Sequence, residues 1–214
     1  MAFNINSFRA NGLKFDGARP SLFEVRVNFP SITSNGTTET SRLRFLAQAS
    51  SLPETQIDQI PVPYFGRTIK VEGNRTFSDW SIEVMNDEDF TIRASFEAWL
   101  NGMNTHVSNR KDPAFAGLNY KSTATVYQLS KEKDSDDVEQ AIRAYTFSGM
   151  FPTRVDPIRL DWGTTNQIET FGVTFAYDYW VPGADENFND GGKFLGVDGS
   201  AKDWSPTLAS DTNG

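Results

Sequence analysis

Between Gln167 and Trp180 the side chains Phe171, Val173, Phe175, Tyr177 and Tyr179 alternate with Thr170, Gly172, Thr174, Ala176 and Asp178. A period of two puts every second side chain on one face of a strand, whereas a helix would scatter these rings around its axis. This is the longest alternation in the chain, and it commits the fold to a sheet with one buried face. A second run follows Pro20, where Phe23, Val25, Val27 and Phe29 share a face and Pro30 ends the strand.

The remaining punctuation extends the same reading. Asn35-Gly36 lies in a polar stretch over 31–41 and predicts a hairpin turn, with Arg42–Ala47 as the returning strand. A Pro-punctuated stretch from Pro53 to Pro63 leads into two extended runs, Tyr64–Glu72 and Thr76–Met85, predicted to turn at Gly73-Asn74. In the second run Trp80, Ile82 and Val84 share a face. Strand signals return at Ser122–Leu129 and Ala141–Phe151, on either side of a charged turn over Lys131–Asp137, and briefly at Ile158–Trp162.

One segment is helical. Asn86-Asp87-Glu88-Asp89 reads as a capped, acidic start, and Ile92, Phe96, Trp99, Leu100 and Met103 form a single apolar stripe ending near Gly102. The expected class is therefore mainly β, about eight strands in a sandwich or barrel-like subunit with one flanking α-helix. Residues 1–19 read as an N-terminal arm, 20–181 as the β domain and 182–214 as a polar C-terminal tail.

Composition narrows the chemistry. The 214 residues carry a formal charge of −8, without the basic stripe expected of a nucleic-acid reader. There is no cysteine, so thiol catalysis, disulfides and cysteine-bound metal are excluded, and a single histidine excludes multi-histidine centres. No apolar run is long enough for a spanning helix, and Met1–Arg9 lacks the pattern of a secretory signal, so no stable membrane insertion is expected and the sequons at Asn35 and Asn74 carry no meaning.

Candidate sites fail one by one. Gly191-Gly192-Lys193 is no phosphate loop, and the calcium-like start at Asp185 has Asp190 and Gly196 where Gly and a bidentate Glu are needed. His106 reads as a surface histidine, Asp87-Glu88-Asp89 as helix capping, and Asp134, Asp136 and Asp137 as a solvated turn. No catalytic, cofactor or metal residue is nominated. Apolar residues in exposed settings stand out instead: Phe3, Ile5 and Phe8 on the arm, and Tyr64-Phe65 between Pro63 and Gly66. Such side chains mark contact surfaces, which favours an assembling structural protein over an enzyme.

The stretch from Ile60-Pro-Val-Pro-Tyr64-Phe-Gly-Arg67 through Gly73-Asn-Arg75-Thr-Phe77-Ser-Asp79-Trp80 to Asn86-Asp87 closely resembles the tail tube proteins of contractile-tailed bacteriophages. So do Gly149-Met-Phe-Pro152-Thr-Arg-Val155, Leu160-Asp161-Trp162, Asn166-Gln-Ile168-Glu-Thr-Phe171 and Tyr177-Asp178-Tyr179-Trp180, while Ala18-Arg19-Pro20 matches the approach to the family's first strand. The likeness covers about residues 18–180 in one order; the 31–41 loop and the tail after 182 depart from shorter members.

The resemblance implies a homo-hexameric ring whose inner strands join edge to edge in a 24-stranded barrel, with rings stacked into a hollow tube inside a contractile sheath. It implies arm and hairpin contacts between subunits and rings, the hairpin at 62–79, with Phe3, Ile5, Phe8, Tyr64, Phe65, Arg67, Arg75, Phe77 and Trp80 as contact residues. It further implies a virion tail component assembled in the host cytoplasm, with sheath, baseplate, tail-terminator and tape measure proteins as partners. DNA would pass through the lumen without specific binding; the acidic charge would either repel phosphate there, if the lumen carries much of it, or serve only to keep free subunits in solution. The same fold serves baseplate tube initiators and the inner tubes of contractile injection systems, which are the alternative readings. A carboxylate-dependent cell-wall hydrolase is the remote one.

Overall fold

The computed structural model describes residues 17–30, 36–133, 139–182 and 193–194. In chain order these are β1 (Phe23–Val27), α1 (Gly36–Leu46), β2 (Ala47–Ser50), β3 (Gln56–Tyr64), β4 (Arg67–Thr76), β5 (Trp80–Met85), α2 (Thr91–Met103), β6 (Ser122–Lys133), β7 (Glu139–Val155), β8 (Thr170–Ala176), β9 (Tyr179–Pro182) and β10 (Lys193–Phe194). A short 3₁₀ turn, Pro113–Phe115, follows α2.

The main sheet runs β1-β6-β7-β8-β5-β2, with β9 and β10 also on β7, and its path is open. The long alternating run, expected as one strand, is in two pieces, both on β7: β8 pairs with Phe151–Val155 and β9 with Tyr145–Ser148. The break falls at Tyr177-Asp178, where Asp178 N–H donates to the Ser148 carbonyl at 3.0 Å and its carboxylate holds the Lys121 ammonium at 2.6 Å.

Most of the expected inward residues form one core, joined by Val126 and Phe147, while Tyr179 is exposed. Val25, Val27, Ile82, Val84, Val126, Phe147, Phe171, Val173 and Phe175 are buried, and the helix stripe Ile92, Phe96 and Trp99 closes over them. Trp80 stacks on Phe147 with ring centroids 4.5 Å apart, and its indole N–H donates to the Ser51 carbonyl at 2.8 Å. Burying that N–H without an acceptor would cost on the order of 1–3 kcal/mol, which this bond avoids.

Three local expectations are corrected. First, a second helix begins at Gly36, where a turn was expected, and replaces much of the returning strand; Asn35 lies outside the described residues. Residues 42–46 are helical, and only Ala47–Ser50 is strand, paired with β5. Few apolar residues mark α1, because polar contacts distant in sequence hold it. Buried Leu43 reaches the core, Thr40 Oγ1 donates to the Val27 carbonyl at 2.9 Å, and Arg44 pairs with buried Glu24 at 2.9 Å.

Second, the acids before α2 do not cap it. The capping position is Phe90, at φ 52 and with no side-chain bond, while the Asp87 and Asp89 carboxylates both pair with Arg42 of α1. Third, Ile158–Trp162 is a connector rather than a strand, turned around Asp161, whose Oδ1 accepts from Gly163 N–H at 2.9 Å. Among the described residues, no helix is long and apolar enough to cross a membrane.

Candidate assembly interface

Strands β3 and β4 form a separate two-stranded sheet. The turn is at Phe65-Gly66, both at positive φ (41 and 76), which is the backbone a two-residue primed turn requires. The predicted turn at Gly73-Asn74 is thus corrected: both residues lie inside β4. Gly73 lies in a bulge of β4, where Gly73-Asn74 face the single residue Asp58 of β3 and a Cβ would come 2.9 Å from the Asp58 carbonyl oxygen, so glycine here permits close backbone approach. The hairpin spans 56–76, beginning earlier than the 62–79 implied by resemblance.

The register sorts its side chains. Tyr64 faces Arg67, Val62 faces Ile69 and Ile60 faces Val71, and these pairs share one face of the ribbon. The other face carries Pro63 with Thr68, Pro61 with Lys70 and Gln59 with Glu72. One face is therefore apolar and the other polar, yet every residue of β3 and all of β4 except Gly73 are exposed. A lone two-stranded ribbon is marginal in water, and covering each half-exposed aliphatic here would yield on the order of 1 kcal/mol. The geometry suits a face that another surface covers.

The turn itself points the same way. Phe65 is 92% exposed, and its ring meets that of Tyr64 edge-on at 4.7 Å. A phenylalanine at positive φ is strained where Asn or Gly would be relaxed, and in water its ring gains almost nothing.

The nominated contact residues are thus partly gathered. Tyr64, Phe65 and Arg67 stand together at the tip, with Arg75 opposite Ile57 near the base and Phe77 just beyond it, half-buried with its ring 5.9 Å from Tyr177. Trp80 is corrected: at 2% exposure it belongs to the subunit core, because its face of β5 is the one turned inward. Phe3, Ile5 and Phe8 lie outside the described residues, as do Asp134, Asp136, Asp137, Asp185, Gly191 and Gly192.

The apolar face built by Ile60, Val62, Ile69 and Val71 went unrecognised in the sequence, because Pro61 and Pro63 made 53–63 read as a connector. The alternation of Ile60-Val62 against Ile69-Val71 was the available signal. A second exposed apolar group, Leu160, Trp162 and Ile168, lies on the connector before β8. His106 is exposed beyond α2, and no cluster of metal-ligating side chains occurs among the described residues.

The sequence model of the phage tail tube protein family matches residues 18–182. The chain is 36% identical over 168 residues to tail tube protein gp19 of Enterobacteria phage T4, covering 77% of this chain and 91% of that protein. It is 25% identical over 174 residues to the tail tube protein of Serratia phage KSP90, covering 81% and 93%. In fold it is similar to a chain of the anti-feeding prophage baseplate (TM-score 0.55, 15% identity, 78% of this chain and 95% of that one). It is also similar to a chain of the sheath–tube complex of PVC, an extracellular contractile injection system (TM-score 0.51, 14% identity, 86% and 100%). With these sequence matches over most of its length, the chain belongs to the phage tail tube protein family.

Proposed function

We propose that copies of this chain join in hexameric rings that stack into the inner tube of a contractile virion tail, a conduit for the genome through the host envelope. The role is structural rather than catalytic. The observation that carries this reading is the β3–β4 hairpin, whose apolar face has no cover among the described residues. The tail tube proteins of T4 and KSP90 support a phage tail over an injection system, since the injection-system likeness is one of fold alone. The sheath, baseplate, terminator and tape measure proteins are the proposed partners, with residues 1–19 as an arm and 182–214 as a tail that touches the β domain through the Lys193–Phe194 pairing with β7.

In this arrangement the hairpin's polar face borders the bore. Between the turn and the bulge it carries one cation, Lys70, and one anion, Glu72, with Arg75 beyond the bulge, and the subunit as a whole is acidic. DNA then meets no cluster of cations and passes without being held.

Electron microscopy and sedimentation of the purified protein test the proposal. Hollow tubes or stacked rings are expected, and Ile69→Lys should leave folded subunits that do not assemble. Solitary particles at every concentration, with baseplate nuclei supplied, would overturn it. Self-polymerisation without such nuclei would also set the protein apart from a baseplate initiator.

A further inference from the structure

We infer that the two edges of the exposed hairpin are unequal, and that β4 donates the backbone hydrogen bonds across the boundary to a second copy of this chain, through the N–H groups of Thr68, Lys70 and Glu72. This rests on the tube reading and names the strand edge that reading uses.

The argument begins at the turn. In an antiparallel pair closed by a two-residue loop, the residues flanking the loop exchange both hydrogen bonds, and bonded and non-bonded pairs alternate from there. Tyr64 and Arg67 flank Phe65-Gly66, so Tyr64/Arg67, Val62/Ile69 and Ile60/Val71 bond inward. The intervening pairs, Pro63/Thr68, Pro61/Lys70 and Gln59/Glu72, turn their backbone groups outward. Both prolines of β3 fall at outward positions, where they cost the hairpin no internal bond.

The consequence differs between the two edges. Along 61–63 the outer edge of β3 has carbonyls but no donor, which blunts it as a template for pairing. Strand β4 contains no proline, and its outer edge keeps successive donors at Thr68, Lys70 and Glu72 with the matching carbonyls. A sequence that closes one edge of a ribbon and leaves the other whole directs strand addition to the open one. The occupant is a second copy, because a tube wall repeats this chain and the apolar face next to this edge is also uncovered.

Residue-resolved amide exchange on subunits and on assembled tubes tests the inference, together with Lys70→Pro and Lys70→Ala. The amides of Thr68, Lys70 and Glu72 should exchange freely in the subunit and slow by about a hundredfold or more in the tube. Lys70→Ala keeps the donor and should assemble like the unsubstituted chain. Lys70→Pro loses only an outward donor, so it should keep the subunit's thermal transition while raising the concentration needed for assembly about tenfold or more. Equal exchange of the three amides in subunit and tube, measured on the unsubstituted chain, would overturn the inference whether or not the proline variant folds. So would assembly of Lys70→Pro at the unsubstituted chain's concentration, or loss of assembly in Lys70→Ala. Tubes that form while these results fail would leave the tube reading standing; if no tubes form at all, both fall.

Discussion

Phe115 lies against the bare backbone of Gly102: a Cβ built on that glycine would come 2.3 Å from the phenylalanine Cε2. Gly102 is buried in the last turn of α2, and Phe115, on the short 3₁₀ turn, is one of the core residues. Helix propensity favours Gly102→Ala by at most about 1 kcal/mol, whereas forcing a methyl into a buried ring costs typically about 1–3 kcal/mol. The steric term wins. Gly102→Ala is expected to lower subunit stability in urea denaturation, with an unchanged or raised midpoint as the contrary result.

Trp80 and Ile69 separate core from contact. Trp80→Ala should destabilise the free subunit by about 3–5 kcal/mol, since the ring fills the space between Phe147 and Phe175. Ile69→Lys, on an exposed face, should shift subunit stability by no more than about 0.5 kcal/mol. Denaturant titration of subunits measures both. Similar losses in the two variants would show that the hairpin face is already covered within the subunit.

Phe65 carries a trade-off. Asn tolerates positive φ far better than Phe, for which the left-handed region costs about 1–2 kcal/mol. Phe65→Asn should therefore slow amide exchange at Ile69 and Val71 in free subunits. It should also weaken assembly by removing the exposed ring. A variant that both tightens the hairpin and assembles more readily would remove the ring from the interface.

Alkaline pH probes two groups near the break between β8 and β9. The Tyr177 hydroxyl is raised above its ordinary 10.0, first by burial and then by Asp79 and Glu54, and it has no hydrogen-bond partner among the described residues. Lys121 is raised above 10.5, chiefly by its hydrogen bond to Asp178. A raised folded pKa gives stability that is complete below the unfolded value and lost as pH climbs through the folded one. Both contributions thus hold at neutral pH and fade above about pH 10. Tyr177→Phe should be near neutral at pH 7 and should reduce the alkaline loss; an unchanged pH profile would contradict this.

How much of this was legible depends on the distance over which each feature is encoded. The one-sided strands β1, β5 and β8 and the stripe on α2 were plain, because alternation at two and recurrence at 3.6 are local consequences of burying one face. The tip residues Tyr64 and Phe65 were legible too, since an aromatic pair between Pro63 and Gly66 is conspicuous wherever it lies, whereas Arg67 came only from the family resemblance. Helix α1 was not: its polar residues find Val27, Glu24 and Asp87 only after the chain has folded. The turn position was equally hidden. Gly66 and Gly73 each offer a break, and only the pairing of β3 with β4 makes the first a turn and the second a bulge.

The amino-acid order by itself determined that this chain is a sheet protein with one amphipathic helix and aromatics in exposed settings. Tertiary structure decided which aromatics face inward, as Trp80 does, and which face out, as Phe65 does. Inward and outward are properties of a register between strands, and a register exists only once two distant stretches have paired.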